Sequence, residues 1–240
     1  MLGLIVELLV SWLIMWLVER KSLSVLGFRP TIKRLLHFFI FFAVTATICS
    51  FGFFLKMQFA NQTWQVNPDL SARLIWKGSH WTMVSVLFEE LIFRGVLLYI
   101  LMKHTSVLRG IVISAIAFGI YHWFSFGVFG NPIQMLTVFL ITGAMGLVLA
   151  YGYAKTLSLY VPIAIHFGWN ITQMFVFSQG PIGHGIFIPL EPGPFRTNSY
   201  FIFFAVTFIS VLMALVLNYV LLRTLKTEGN LGINLEAVNN

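Results

Sequence analysis

Residues 79–103 read SHWTMVSVLFEELIFRGVLLYILMK, an apolar run with Glu89 and Glu90 side by side near its middle. A carboxylate at the bilayer centre costs roughly 2.5–3.5 kcal/mol on insertion scales, so an ionisable residue there is a functional-site hypothesis by default. Arg94 follows Glu90 by four residues. That spacing places the two on one helical face, where they can pair. A paired buried charge costs far less than a lone one. Glu89 points about 100° away from Glu90 by the helical period, toward groups from other spans. The stretch therefore predicts a division of labour, with Glu90 and Arg94 as an anchor and Glu89 as the chemical group. Arginine does not act as a base near neutral pH, which makes Arg94 structural.

Outward from this stretch the composition is that of a membrane protein. The 240 residues are 58% hydrophobic and 10% charged, with mean hydropathy +0.88, whereas a soluble domain is about 25% charged. Seven segments approach the ~20 residues needed to cross the hydrocarbon core: about 2–18, 35–55, 80–102, 107–124, 132–153, 157–177 and 200–222. The expected fold is all-α, a polytopic membrane helix bundle of about seven transmembrane helices. It forms a single membrane domain over 1–240, with a polar intramembrane cavity between spans three, four and six. The first span lacks a basic leading region, and Arg20 and Lys21 follow it, which suits an uncleaved span rather than a signal peptide. Loops at 56–79 and 178–199 are the sizeable extramembrane pieces, and the tail after Arg223 is short and polar.

The basic residues orient the chain. Arg20, Lys21, Arg29, Lys33, Arg34, Lys103, Arg109, Lys155, Arg223 and Lys226 fall on one side, against Lys56, Arg73, Lys77 and Arg196 on the other. Ten against four predicts the N-terminus outside and the C-terminus cytoplasmic. The net charge of +7 is then headgroup contact rather than nucleic-acid binding, and membrane lipids are the expected partners. The basic stretch 19–34 reads either as a segment lying along the cytoplasmic interface or as an ordinary loop. The single cysteine, Cys49, excludes an intrachain disulfide and reads as a small packing residue. No P-loop, repeat or soluble domain is present.

Four of the six histidines are unremarkable in position: His37, His80 and His104 lie near span ends, and His184 lies in a loop. His122 and His166 fall within spans four and six. Asn170 lies one turn after His166 on the same face, and Phe118 one turn before His122, where it can set the imidazole ring. A buried carboxylate, two imidazoles and an amide suit hydrolysis. Glu89 serves as general base on a water, which His122 helps to hold. His166 and Asn170 donate hydrogen bonds to the oxyanion of a tetrahedral intermediate. Each residue taken singly also suits an ordinary interhelical hydrogen bond; the set together exceeds what packing needs.

These residues fall into three motifs, Glu89-Glu90-x3-Arg94, Phe118-x3-His122 and His166-x3-Asn170. In that order and spacing the chain resembles the CPBP (Abi) family, which comprises type II CAAX prenyl proteases and bacteriocin-processing or immunity proteins. The resemblance spans 80–177, the expected catalytic core. It implies an intramembrane endopeptidase. Glu89 and His122 would activate water, and His166 and Asn170 would stabilise the oxyanion. The implied partner is a peptide or protein substrate, hydrophobic and in eukaryotic members prenylated.

The family is also described as metallo, and Glu89, His122 and His166 would make a three-ligand zinc set. No H-E-x-x-H helix is present. With Glu89 as a ligand, the base would have to be Glu90, which is committed to Arg94. Metal-independent glutamate catalysis is therefore the expectation. Two other classes fit an intramembrane polar cluster: a non-proteolytic scaffold of the immunity or regulatory kind, and a proton-coupled transporter. The transporter fits less well, because paired broken helices and internal symmetry are not evident. Gly143 and Gly146 in span five read as helix contacts. Short length and short loops point to a prokaryotic plasma membrane.

Overall fold

A computed structural model describes residues 2–191 and 197–227; Arg196 of the charge count and the end of the polar tail lie outside the described residues. The chain is a polytopic membrane helix bundle. Its helices are α1 (Leu2–Glu19), α2 (Ile32–Phe59), α3 (Ala72–Arg94), α4 (Val96–His104), α5 (Val107–Ser125), α6 (Pro132–Thr156), α7 (Tyr160–Asn170) and α8 (Tyr200–Thr224). A 3-10 turn, Leu23–Leu26, precedes α2, and a π-helical segment, Ile171–Val176, continues α7.

Five of these helices (α1, α2, α5, α6 and α8) are long and apolar enough to cross a membrane. The third and sixth of the seven expected segments are not single regular helices. The third is divided at Gly95 into α3 and α4. A Cβ at Gly95 would lie 2.1 Å from the Leu91 carbonyl oxygen, so this approach is open only to glycine. The sixth changes from α to π geometry after Asn170.

Two compact units make up the described residues. The first contains residues up to Phe38, Leu87–Ile163 and the chain from Tyr219 onward. Within it, α5 starts at Ser106, whose hydroxyl accepts from the Arg109 amide, and α6 starts at Asn131 with Pro132 in its first turn. Both are ordinary N-terminal devices. Small residues bring these two helices together: a Cβ on Gly146 would sit 3.1 Å from the Ala115 Cα, and one on Gly119 would sit 2.7 Å from the Phe139 ring. Helix α6 runs unbroken through Gly143 and Gly146, as expected of packing contacts. In the basic stretch Gly27 adopts φ 78° against the Leu157 carbonyl, and Lys21 donates to the Tyr99 hydroxyl at 3.1 Å.

The second unit contains Phe39–Val86 and Ala164–Asn218. Buried Thr45 and Asn218 hydrogen-bond across α2 and α8, and Asn218 also donates to the Ala214 carbonyl one turn back. Cys49 is buried near the Trp169 carbonyl, which suits a packing role. The two loops read as extramembrane are tied to each other. Trp64–Val66 (β1) pairs antiparallel with Phe187–Pro189 (β2), Gln65 opposite Ile188. Phe53 and Phe177 stack at 4.0 Å beside Trp64.

Candidate active site

In the first unit the end of α3 carries the carboxylates and α5 carries the histidine that faces one of them. Arg94 Nη1 donates to Glu90 Oε1 at 3.0 Å, and both side chains are fully buried. The guanidinium is held from two further sides. Its Nη2 donates to the Gly146 carbonyl of α6 at 3.5 Å, and the Phe118 ring of α5 lies 4.0 Å beneath it. One arginine therefore ties α3 to both neighbours by charge-assisted and cation–π contacts. Ser114 of α5 adds a hydrogen bond to the Phe93 carbonyl at 2.7 Å. This matters because Phe93 lies in the last helical turn before the break at Gly95, where backbone carbonyls lose their helical partners.

Glu89 leaves the helix on a different face from Glu90. Its Oε2 lies 3.8 Å from His122 Nε2, with the two side chains 13% and 9% exposed. The distance is too long for a direct hydrogen bond. It is short enough for one water to touch both atoms. On the other side of the ring, His122 Nδ1 lies 2.7 Å from the Phe118 carbonyl. A carbonyl only accepts, so Nδ1 carries the proton, and in the neutral ring Nε2 presents a lone pair toward Glu89. The rings of Phe118, Tyr121 and Phe126 surround the imidazole at centroid distances of 4.4, 5.3 and 5.2 Å. Tyr121 and Phe126 are not singled out by the motif. Their signal in the sequence is only an aromatic one residue before and one turn after His122.

In the second unit Asn170 and His166 of α7 form their own pair. Asn170 Nδ2 donates to His166 Nε2 at 3.1 Å, and His166 is 6% exposed. With Nε2 accepting, the proton of the neutral ring resides on Nδ1. Glu89, Glu90, Arg94, Phe118 and His122 thus share one unit, and His166 and Asn170 share the other. Among the described residues no three His, Cys, Asp or Glu side chains group closely enough to hold a metal ion. No step below passes through a metal.

Residues 71–172 match the family model for type II CAAX prenyl endopeptidase, Rce1-like. All three motifs fall inside the matched stretch. No curated protein and no solved structure matches the chain.

Proposed function

Residues 71–172 are an Rce1-like domain of the CPBP family, and we propose on that premise that the protein is an intramembrane endopeptidase acting on a hydrophobic, prenylated CAAX-type substrate. The observation that carries the chemistry is the facing of Glu89 and His122 at 3.8 Å, with the far nitrogen of His122 committed to the Phe118 carbonyl. Both facing atoms are acceptors, a geometry that one water can bridge. The Glu89 carboxylate takes one hydrogen bond and His122 Nε2 the other, which leaves an oxygen lone pair for the scissile carbonyl carbon.

Attack forms the new C–O bond as Glu89 removes the proton. The carbonyl oxygen becomes an oxyanion, and His166 and Asn170 are assigned to stabilise it. An imidazole N–H and an amide N–H are the donor types such an oxyanion needs. Collapse breaks the C–N bond while Glu89 returns its proton to the leaving nitrogen, giving a carboxylic acid and an amine; the acid proton then passes to the amine, leaving a carboxylate and an ammonium. Glu90 and Arg94 hold α3 in register and touch no reacting atom. Residues 80–177 form the catalytic core in this reading. The excess of Lys and Arg on one side supports an outside N-terminus and a cytoplasmic C-terminus in a prokaryotic plasma membrane.

The test is cleavage of a fluorogenic farnesylated CAAX peptide beside its unmodified counterpart, by detergent-purified protein. Wild type, Glu89→Gln and His166→Ala are compared with and without a zinc chelator. Turnover lost in both variants and kept with chelator supports the reading. Loss with chelator and recovery with zinc overturns the metal-free mechanism. Cleavage retained by Glu89→Gln removes the assigned base.

A further inference from the structure

Helix α1 holds a further intramembrane carboxylate, Glu7, which the mechanism does not use. A cavity of about 510 Å³ lies between α1 and the junction of α3 with α4. Its α1 wall is formed by Gly3, Val6, Glu7, Val10, Ser11 and Ile14, the three-and-four spacing of one helical face. Its far wall includes Phe88, Leu91 and Ile92. These flank the catalytic carboxylates in sequence yet lie on another face of α3, centred about 110° from Glu89 and about 150° from Glu90. The cavity is therefore separate from the Glu89–His122 centre while sharing a helix with it.

Both carboxyl oxygens of Glu7 are closed off from solvent and have no hydrogen-bond partner. Everything else around the cavity is apolar apart from Ser11 one turn further on. Helix α1 is anchored at its other end. Met15 is fully buried, and Glu19 binds both Lys103 and His104 of α4, the latter at 2.7 Å. Glu7 lies about 18 Å along the helix from Glu19, one turn after Gly3, which approaches Phe88 of α3.

We propose that this cavity is a binding site for a single-chain amphiphile with a cationic amine head, the chain lying against Phe88, Leu91 and Ile92 and the ammonium paired with Glu7. The site has the size and make-up of a small-molecule pocket, apolar walls with few polar groups. Its one ionisable group is an acid, so the complementary head is a cation. An ammonium also supplies the donors that both oxygens lack, at a depth where a lone carboxylate is costly. The inference stands independently of proteolysis, since it concerns binding at a different face of α3.

The experiment uses the full chain in phosphatidylcholine nanodiscs. Hexadecylamine, hexadecanol and hexadecanoate are the probes, and bound probe is counted by native mass spectrometry. Wild type is expected to bind one amine saturably, about ten- to a hundredfold more tightly than the alcohol, the range of a charge-assisted hydrogen bond. The acid is expected not to bind. Glu7→Gln should erase the preference for amine over alcohol while unfolding at the wild-type temperature. A Cβ on Gly3 would meet Phe88 at 3.7 Å, ordinary contact, so Gly3→Leu should fill the cavity without strain and exclude both chains. Competition by phosphatidylethanolamine in the disc would identify a lipid headgroup as the source of the amine, and its failure to compete would identify a free amine. Equal amine binding by wild type and Glu7→Gln, or acid binding as tight as amine, overturns the proposal. So does displacement only by a lysine-bearing membrane-spanning peptide, which would make the occupant a partner helix.

Discussion

Removing either partner of the Glu90–Arg94 pair should cost far more than removing both. At 3.0 Å the Coulomb attraction of two unit charges is about 5.5 kcal/mol at an effective dielectric near 20. Neither side chain reaches solvent, so a single substitution strands a buried charge and should cost about 3–5 kcal/mol. Arg94→Met also forfeits the Phe118 ring beneath the guanidinium, worth about 0.5–2 kcal/mol. Glu90→Gln keeps the shape but takes away the carboxylate bonded to the guanidinium, leaving Glu89 as its nearby counter-charge. The double variant Glu90→Gln/Arg94→Met buries no net charge and should lose only about 1–3 kcal/mol, because an apolar replacement of a buried pair is often close to neutral. The double-mutant cycle should therefore return a coupling of several kcal/mol. The assay is reversible unfolding in mixed micelles, followed by circular dichroism against added SDS. A single variant costing less than about 1 kcal/mol, or a double whose loss equals the sum of the singles, would refute the view of the pair as one anchoring unit.

Glu89→Gln should lower peptide cleavage by about 10²–10⁴-fold, the usual share of a general base, with the unfolding midpoint unchanged; a variant that still turns over at the wild-type rate would end that assignment. Gly95→Ala should destabilise by about 1–3 kcal/mol, the range of forced backbone strain, since its Cβ would enter the Leu91 carbonyl; unfolding by SDS reports it, and an unchanged midpoint would mean the break has another cause. At the foot of α1, Lys103 is held above the usual lysine range chiefly by its hydrogen bond to Glu19. Its contribution is complete below the ordinary pKa of about 10.4 and is lost as the pH rises through the raised value. Hydrogen exchange at the end of α1 should accordingly quicken only at strongly alkaline pH, beyond the intrinsic rise in rate, and Glu19→Gln should show that extra exchange already at neutral pH.

How much of this was legible in the sequence depends on what kind of signal each feature leaves. Glu89, Glu90 and Arg94 announce themselves because charge inside an apolar run is rare and i,i+4 spacing fixes which two residues pair. The same physics applies to Glu7, a lone carboxylate in the first apolar run. Sequence reasoning misses it because no second polar residue at a matching spacing draws attention to it, and its cavity is a product of how α1 packs. The ribbon between β1 and β2 was equally hidden: three-residue strands are too short to show alternation, and their pairing is set by distant parts of the chain. The interruptions of the third and sixth segments were hidden for a related reason, since hydropathy averages side chains and is blind to where the backbone ladder stops.

The two segments interrupted in this way are the two that carry the first and third motifs. The interruption follows Arg94 at once in one and Asn170 at once in the other. Inside a bilayer an irregular backbone is tolerated only where protein or a water-filled cavity satisfies it, and π segments in helices concentrate at functional sites. Gly95 follows Arg94, whose guanidinium is fixed by Glu90, Phe118 and Gly146. The break is therefore set directly after a side chain held from three sides, and the turn that carries Glu89 stays within regular helix. In α7 the change of pitch falls beyond Asn170, so the 3.1 Å bond to His166 is made within regular α-helix, where i,i+4 geometry is dependable. Both departures from regular helix spare the turn that holds the chemical groups.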